Sequence, residues 1–320
     1  MKPLKYLFIS SMLFAATSCG NSWLDLEPST SVDTETSIKI LSDVEFTLNG
    51  IYSTMQSSDA YSGRLVYYGD VTGDDMQAVS STKRVANYYR FNFTKDDNPS
   101  SHWSYLYSII QNCNLILMNI DKLVIDEDDK AYRDDLKGEA LAIRGLALFD
   151  LTRIFGYPYL KDDGASLGVP IIEGLSTIDS KPTRNTVAQC YTKIIDDLTQ
   201  SLSLLGEKFN KGKINKWGAM VLLSRVYLYK GENANALKMA SDAIIGAEKN
   251  KYALWTNEDY PTAWGEDASA SKPGEVLFEI VNLTTDSPGK ESMGYLNSYD
   301  GYDDMCITCS FYQFLKEDPK

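Results

Sequence analysis

Histidine, basic side chains and long apolar runs are all scarce in this sequence of 320 residues. His102 is the only histidine, and 31 Lys and Arg stand against 44 Asp and Glu, which gives a net charge of −13. An acidic surface repels the phosphates of nucleic acids, so we expect no nucleic-acid partner. No apolar run approaches the ~20 residues that a membrane-spanning helix needs. We therefore expect that the mature chain is not an integral membrane protein.

The N-terminus has the layout of an export signal. Lys2 and Lys5 precede a short apolar run, and small residues then lead directly to Cys19. This arrangement is typical of a lipobox, in which the cysteine thiol is acylated and anchors the protein to a membrane. We predict a signal peptide over residues 1–18 and a lipidated tether over residues 19–40. The alternative is an ordinary signal peptide with an incidental cysteine.

Beyond the tether, apolar residues recur mostly at helical spacing. Capping boxes that start at Ser42 and Thr186 mark the beginning of two helices. Gly156 is predicted to end another helix in a left-handed conformation. The pattern predicts helices over residues 44–55, 101–117, 136–155, 187–205 and 216–247, a strand over 275–281 and a short helix over 310–316. The fold class that follows is mainly α, with little strand.

Residues 137–247 match the tetratricopeptide pattern of paired helices. In the second pair, which surrounds Gly231, large and small residues stand at the expected offsets: Met220, Leu223, Ser224 and Tyr227, then Ala236, Ala240 and Ala243. Small residues allow the two helices of such a hairpin to approach closely. The first pair covers residues 137–155 and 187–205, with an insert between them. We predict that these hairpins form the scaffold of a domain over residues 41–320.

The segment Gly164–Gly168 matches the G-x-S-x-G nucleophile elbow of hydrolases. That motif needs a strand before it and a helix after it, and its histidine follows the serine in the chain. No helical pattern begins here, and His102 lies upstream of Ser166. We interpret the segment as a Gly-rich loop and predict no catalytic residue and no cofactor.

Cysteines and acidic clusters offer weak signals of redox or metal chemistry. Cys306 and Cys309 form a C-x-x-C pair, but no βαβ unit precedes them. A local disulfide or two buried thiols is therefore the favoured interpretation. Acidic clusters such as Asp74–Asp75 and Asp303–Asp304 lack the EF-hand pattern, so we favour surface charge over calcium and predict no metal site.

Aromatic residues in aperiodic segments are the candidate ligand contacts. Tyrosine outnumbers phenylalanine by 21 to 11, which favours half-exposed positions where the ring is covered and the hydroxyl keeps a partner. We predict a loop-rich ligand region over residues 58–100 and 251–320. Its candidate ligand contacts are Tyr88, Tyr89, Tyr295, Tyr299 and Tyr302. Packing of the loops onto the scaffold is an equal alternative for these rings, and it is favoured for Trp255, Tyr260 and Trp264.

Several segments, in the same order, resemble the SusD/RagB family of nutrient-uptake lipoproteins. The start CGNSWLDLEP at Cys19 is similar to the lipidated start of the family, and EALAIRGLALFDLTRIFGYPYL from Glu139 is similar to its central helix. Residues 184–205, 216–245 and 275–280 resemble later blocks of the family. Members usually continue well beyond the point at which this chain ends.

The resemblance implies a non-enzymatic lipoprotein of the outer membrane that faces the cell exterior. Such proteins capture oligosaccharides with aromatic rings on loops and deliver them to a SusC-like, TonB-dependent transporter. A peptide- or protein-binding lipoprotein on the same scaffold is the first alternative. An envelope glycoside hydrolase is the second, and it needs a pair of carboxylates across a cleft that nothing in the sequence singles out.

Overall fold

The computed structural model describes residues 37–94, 99–177, 179–207, 212–263 and 274–317. The predicted signal peptide, Cys19 and Trp264 lie outside these residues. The elements in chain order are α1 (Leu41–Met55), α2 (Arg64–Thr72), β1 (Met76–Ala78), α3 (Ala86–Tyr89), α4 (Ser100–Asn119), α5 (Lys130–Phe155), α6 (Val187–Leu204), α7 (Lys216–Lys230), α8 (Asn233–Lys249), α9 (Tyr260–Ala263), α10 (Met293–Asn297), β2 (Met305–Ile307) and α11 (Cys309–Glu317). The prediction of a mainly helical fold is confirmed.

Helix α5 is the centre of the scaffold, and all its residues from 138 to 152 are buried. It packs between α4 and α6. A Cβ added at Gly145 lies 3.0 Å from Leu198 Cγ, and one added at Gly138 lies 2.8 Å from Leu205 Cγ. The glycines therefore let α5 and α6 pack closely, as the first predicted hairpin requires. Helix α5 begins six residues before the predicted start at 136, because these first residues are mostly charged and half-buried or exposed and so add no apolar stripe to the pattern.

The second predicted hairpin is formed by α7 and α8. Gly231 ends α7 in the left-handed region, at φ 85°, and so turns the chain back on itself. The Ser224 hydroxyl donates to the Ala236 carbonyl oxygen at 2.8 Å, which ties the two helices together. Ala243 is fully buried against Trp217, whereas Ala240 is half-buried. The alternation of large and small residues thus marks the real contact face.

One of the two capping boxes is correct. Thr186 Oγ1 accepts from the Gln189 N–H at 3.2 Å, and the Gln189 side chain accepts from the Thr186 N–H at 2.9 Å. The box at Ser42 is wrong, because α1 begins at Leu41. There the Asp43 carboxylate accepts from the Ile40 N–H at 3.0 Å, so an acid one residue from the predicted cap satisfies the helix end instead.

Gly156 does not adopt the predicted left-handed conformation. Its backbone is extended, with φ −107° and ψ 175°. Glycine is needed there for space, because an added Cβ lies 2.7 Å from the Thr152 carbonyl oxygen and 3.3 Å from Gly168 Cα. The helix end and the insert therefore meet backbone to backbone.

The predicted strand over residues 275–281 is also wrong. This segment pairs with no strand, and side-chain amides satisfy its carbonyls. Asn215 Nδ2 donates to the Leu277 carbonyl at 2.7 Å, and Gln56 Nε2 donates to the Val281 carbonyl. The described residues instead contain one antiparallel ladder of β1 and β2, in which Gln77 stands opposite Cys306. Within the predicted loop region 58–100, the structure places two helices, α2 and α3, as well as β1.

A cluster of buried polar side chains joins three helices. Arg144 on α5 donates to both carboxylate oxygens of Asp197 on α6, and to Asn114 Oδ1 on α4 at 2.8 Å. Asn114 then donates to the carbonyls of Ile172 and Gly174 in the insert, at 2.7 and 3.0 Å. The insert is thereby held against the scaffold by the same charge pair that joins the helices.

Candidate functional site

Two distant segments, residues 83–93 and 291–305, pack against each other, and we call them the joined segments. Buried side chains from both meet in one apolar cluster with α2: Tyr67, Val71, Val85, Tyr88, Leu296 and Met305. The ladder of β1 and β2 runs directly beside them and fixes their register. The candidate tyrosines of both predicted loops are therefore brought to one region of the protein, although they are far apart in the chain.

Tyr302 is held in place on two sides. Its ring lies 5.2 Å from the ring of Tyr295, edge to face, and 4.0 Å from the guanidinium carbon of Arg84. The Tyr302 N–H donates to the Tyr295 carbonyl at 2.9 Å, and Lys83 donates to the Tyr302 carbonyl. The side chain remains 37% exposed. It is thus a ring of fixed orientation at the surface.

Arg84 is itself fixed by two carboxylates. Its Nε lies 3.2 Å from Asp304 Oδ2, and its Nη1 lies 3.2 Å from Glu291 Oε2. Asp304 is only 3% exposed, so this carboxylate is a rigid support. The charge of Arg84 is therefore neutralised, and its flat guanidinium serves to orient Tyr302.

Tyr299 stands at the tip of the turn before Tyr302 and is 89% exposed. The turn is tight, since an added Cβ at Gly301 lies 1.9 Å from the Tyr295 carbonyl oxygen, and Asp303 has a φ of 48°. Tyr299 makes no ring or cation contact with another described residue. Its ring is presented to solvent by a constrained backbone, which the aperiodic sequence here did not reveal.

The two predicted tyrosines of α3 lie on different faces of the helix. Tyr88 is 9% exposed and packs edge to face on Tyr68 at 5.4 Å, within the apolar cluster. Its ring is part of the core, so we do not propose it as a ligand contact. Tyr89 is 38% exposed. Adjacent residues on a helix point about 100° apart, so only one of the pair can face the core.

Sequence reasoning missed two further exposed rings, Phe91 and Phe93. They are 64% and 39% exposed, and their rings lie 6.3 Å apart, edge to face. Phe91 has a φ of 53°, a conformation that is unusual for a bulky residue. Three aromatic residues within five positions of an aperiodic segment were the signal that could have found them. We use the name aromatic surface for these two rings together with Tyr89, Tyr299 and Tyr302, which stand exposed on the two joined segments.

A separate cleft of about 1140 Å³ lies between α2, α5, α7 and residues 278–293. On its floor the Asp150 carboxylate accepts from the Tyr61 hydroxyl at 2.7 Å and pairs with Arg153. Burial, followed by the nearby Asp150 charge, raises the pKa of Tyr61 well above its usual value. The carboxylate thus has a partner on either side, which is typical of a structural cluster.

The other motifs of the sequence are not arranged as catalytic, redox or metal sites in the described residues. Ser166 donates to the Asp162 carboxylate in a turn, without the strand and helix of a nucleophile elbow. The prediction for the C-x-x-C pair is wrong, because Cys306 and Cys309 are free thiols that are half-buried and exposed. Cys306 lies in β2, and Cys309 is the first residue of α11. Within the described ranges, no three His, Cys, Asp or Glu side chains are grouped to hold a metal ion, and no helix has the length and apolar character to span a membrane.

The helical hairpins, the short ladder and the rings on the joined segments define an α-helical repeat scaffold with a surface grafted onto it. A family model for SusD-like proteins, described as starch-binding and associating with the outer membrane, matches residues 22–228. The chain belongs to the SusD-like family.

Individual relatives agree with this assignment. SusD-like protein P2 from Formosa agariphila is 28% identical over 94% of this chain and 57% of its own length. The structure of a candidate sugar binding protein from Bacteroides vulgatus is 82% identical and superposes with a TM-score of 0.86, over 89% of this chain and 64% of that one. A SusD superfamily structure from Bacteroides thetaiotaomicron is 38% identical, with a TM-score of 0.79 over 88% of this chain and 63% of its own. This chain therefore spans about three fifths of the length of these relatives.

Proposed function

We propose that the chain binds oligosaccharides on the aromatic surface and has no catalytic activity. The observation that carries the proposal is the arrangement around Tyr302, whose ring is fixed by Arg84 and Tyr295, while Tyr299, three residues earlier, is almost fully exposed. A binding site gains affinity when its groups need no ordering on association. A fixed ring costs little conformational entropy when a ligand stacks on it.

Sugars suit such a surface because one face of a pyranose carries C–H groups and its rim carries hydroxyls. Aromatic rings cover the apolar face, and polar side chains around them accept or donate hydrogen bonds. Asp300 and Asp303 lie in the same turn as Tyr299 and supply acceptors for hydroxyl groups. Acidic neighbours favour a neutral glycan over one that carries carboxylates.

The proposal extends to location and delivery. A lipid on Cys19 would hold the protein on the outer membrane, facing the cell exterior, next to a SusC-like, TonB-dependent transporter that takes up the glycan. Support comes from the family description, which associates members with the outer membrane, and from the predicted export signal and the small residues before Cys19.

Calorimetry tests the proposal, using purified full chain against a panel of neutral oligosaccharides that includes starch-type and laminarin-type fragments. Binding of at least one neutral glycan, with loss in aromatic-surface variants, is the expected result. Binding of peptides but of no glycan would favour the peptide-binding alternative on the same scaffold. Turnover of a glycan during the titration would favour the hydrolase alternative.

A further inference from the structure

His102, the only histidine of the chain, is fully buried in the first turn of α4. Its Nδ1 lies 3.1 Å from the Asp59 carbonyl oxygen, in the loop between α1 and α2. A carbonyl oxygen can only accept a hydrogen bond, so Nδ1 carries the proton of the neutral ring. The other nitrogen, Nε2, is buried and has no hydrogen-bond partner among the residues that the structure describes. The site therefore suits a neutral imidazole.

A proton added at Nε2 of His102 would meet an unfavourable environment. The new N–H would be buried without an acceptor from the described residues. The first turn of α4 is also the positive end of the helix dipole, which disfavours a cation there. The folded protein around His102 therefore opposes the charged form of the ring.

Two charged side chains act on the ring, and they pair with each other: Asp59 and Arg64. Burial lowers the pKa of His102 below its usual value, and the Arg64 charge adds to this shift, although the carbonyl and the charge of Asp59 oppose it. The side chain that α2 packs on the imidazole is Tyr68, and burial raises the pKa of its hydroxyl, so it remains neutral. His102 is thus the group of this contact that titrates in mildly acidic solution.

A series of packed rings runs from His102 towards the aromatic surface. The His102 ring lies 5.6 Å from the Tyr68 ring on α2, and the Tyr68 ring lies 5.4 Å from the Tyr88 ring on α3, both edge to face. The Tyr88 ring lies 5.8 Å from that of Phe93, which lies 6.3 Å from that of Phe91. We call His102, Tyr68, Tyr88 and Phe93 the ring chain. It joins the buried imidazole to exposed rings by direct contact.

Helix α3 depends on these contacts for its position. It has only four residues, and a helix of that length is not stable without tertiary packing. Tyr88 packs on Tyr68 and on the apolar cluster, whereas Tyr89, Phe91 and Phe93 are exposed. Loss of the support from Tyr68 would therefore loosen the exposed rings of residues 86–93.

We propose that His102 is a pH-sensitive switch for the aromatic surface: the neutral ring holds the ring chain together, and protonation loosens residues 86–93. The inference rests on the proposed function, because it states how glycan binding at that surface is regulated. The loosened state accepts the proton more readily than the closed state does. Glycan binding is therefore strongest above about pH 6.5, the ordinary pKa of histidine, and weakens as the pH falls below it.

Nuclear magnetic resonance tests the first step, using the full chain produced without a histidine tag. His102 is the only histidine, so one imidazole signal titrates. We expect the midpoint of this signal to lie at a lower pH in the folded protein than in urea-unfolded protein. An equal or higher midpoint in the folded protein would overturn the proposal.

Hydrogen exchange at pH 5 and pH 7.5, corrected for the intrinsic exchange rates, measures the loosening. In wild type, protection of residues 86–93 should fall roughly threefold or more at pH 5, whereas residues 190–201 of α6 should keep theirs. His102→Asn is the matched variant, because its amide can donate to the Asp59 carbonyl but does not titrate. Its residues 86–93 should be equally protected at both pH values. Equal protection at both pH values in wild type would overturn the proposal.

Two controls accompany this measurement. Thermal melting at pH 7.5 checks that His102→Asn is folded, and His102→Gln serves as a second neutral variant. Glu139 titrates in the same pH range, but it is present in all three proteins, so its effect cancels in the comparison.

Tyr68→Leu tests the route through the ring chain. This variant keeps His102 but removes the ring that joins it to Tyr88. The imidazole should still titrate, whereas the protection of residues 86–93 should no longer respond to pH. A response as large as that of wild type would show that the coupling does not pass through the ring chain and would overturn the proposal.

Calorimetry with a neutral starch-type or laminarin-type fragment, at the same two pH values, tests the effect on the ligand. The affinity of wild type should fall roughly threefold or more at pH 5, and that of His102→Asn should stay constant. A wild-type affinity that does not change with pH would overturn the switch and leave the proposed function intact. If wild type binds no glycan at either pH, the proposed function fails, and the exchange measurement still decides whether His102 controls residues 86–93.

Discussion

Arg144 and Asp197 form a two-pronged ion pair inside the scaffold, with Nε to Oδ2 at 2.8 Å and Nη2 to Oδ1 at 2.7 Å. Asp197 is fully buried and Arg144 is 7% exposed. Burial alone would lower the pKa of Arg144, but the hydrogen bonds and charge of Asp197 raise it above its usual value. The pair is therefore charged. Arg144 is the main partner of Asp197, and Lys193 Nζ lies 3.2 Å from Asp197 Oδ1 as a second cation.

Removing one member of this pair should be costly. We expect Arg144→Met to lower the free energy of unfolding by about 3–5 kcal/mol, because it leaves the Asp197 carboxylate buried without its main partner. Urea denaturation at neutral pH measures the change. The double variant Arg144→Met, Asp197→Leu is the control and should recover part of the loss. If the single variant unfolds at the wild-type urea concentration, the pair contributes no stability.

The second prediction concerns pH. Burial raises the pKa of Glu139 to about 7, although the Lys213 charge and the Tyr52 hydrogen bond oppose the shift. The pKa of Glu139 is higher in the folded state than in the unfolded state. The contribution of this group to the stability of the protein is therefore greatest below about pH 4.5, and it is lost as the pH rises towards 7. We expect the free energy of unfolding of Glu139→Gln to fall less over this pH range. The two proteins should be most similar in stability at pH 5, and the variant should be more stable than wild type at pH 8.

Urea unfolding of both proteins at several pH values measures this effect. Glu248→Gln is the matched control, because Glu248 lies exposed on α8. A wild-type stability curve that Glu139→Gln leaves unchanged in shape between pH 5 and pH 8 would contradict the assignment.

The third prediction concerns the contact face of the α7–α8 hairpin. Ala243 is fully buried in the cluster that contains Trp217, so Ala243→Leu should overpack it and lower the free energy of unfolding by roughly 1–3 kcal/mol. Ala240 is half-buried, so Ala240→Leu serves as the control with a smaller effect. Thermal melting of the two variants measures the difference, and an equal effect of both would place the contact elsewhere.

The fourth prediction separates ligand binding from stability. Tyr299→Ala should weaken binding of a neutral oligosaccharide several-fold and leave the melting temperature unchanged, because its ring is 89% exposed. Tyr299→Phe keeps the ring and should bind nearly as well as wild type. Tyr302→Ala should both weaken binding and cost roughly 0.5–1.5 kcal/mol per lost ring contact. Calorimetry measures the affinity and thermal melting measures the stability of the same samples. Unchanged affinity in both alanine variants would show that the aromatic surface is not the binding site.

The fifth prediction concerns the anchor. Mass spectrometry of protein taken from native membranes should find an acylated Cys19 as the first residue. Cys19→Ala should release the protein from the membrane fraction. An unmodified Cys19 in a soluble wild-type protein would contradict the predicted lipid anchor.

Local sequence patterns predicted where the helices lie, but they did not predict contacts between residues that are distant in the chain. The capping box at Thr186 could be recognised because both of its hydrogen bonds join residues three positions apart, although the same spacing at Ser42 predicted a wrong helix start. The strand over residues 275–281 is wrong because Gln56 and Asn215, far away in the chain, supply the donors that a strand partner would have supplied. No local pattern contains that information.

The same limit applies to the aromatic surface. The sequence located the segments that carry exposed rings, but it could not separate Tyr88 from Tyr89. That distinction depends on Leu296 and Met305, which cover Tyr88 from the other joined segment. Phe91 was missed because its exposure depends on a backbone conformation that is unusual for phenylalanine.

The pairing of β1 with β2 has a consequence for how the protein acquires its ligand surface. Gln77 and Cys306 are 229 positions apart, and Lys83 and Tyr302 are 219 apart. Contacts between such distant positions close very long loops and form slowly, whereas the helical hairpins depend on nearer neighbours. The scaffold can therefore assemble before the rings around Tyr302 come together. A glycan that contacts both joined segments would stabilise this slowly formed contact and slow its opening.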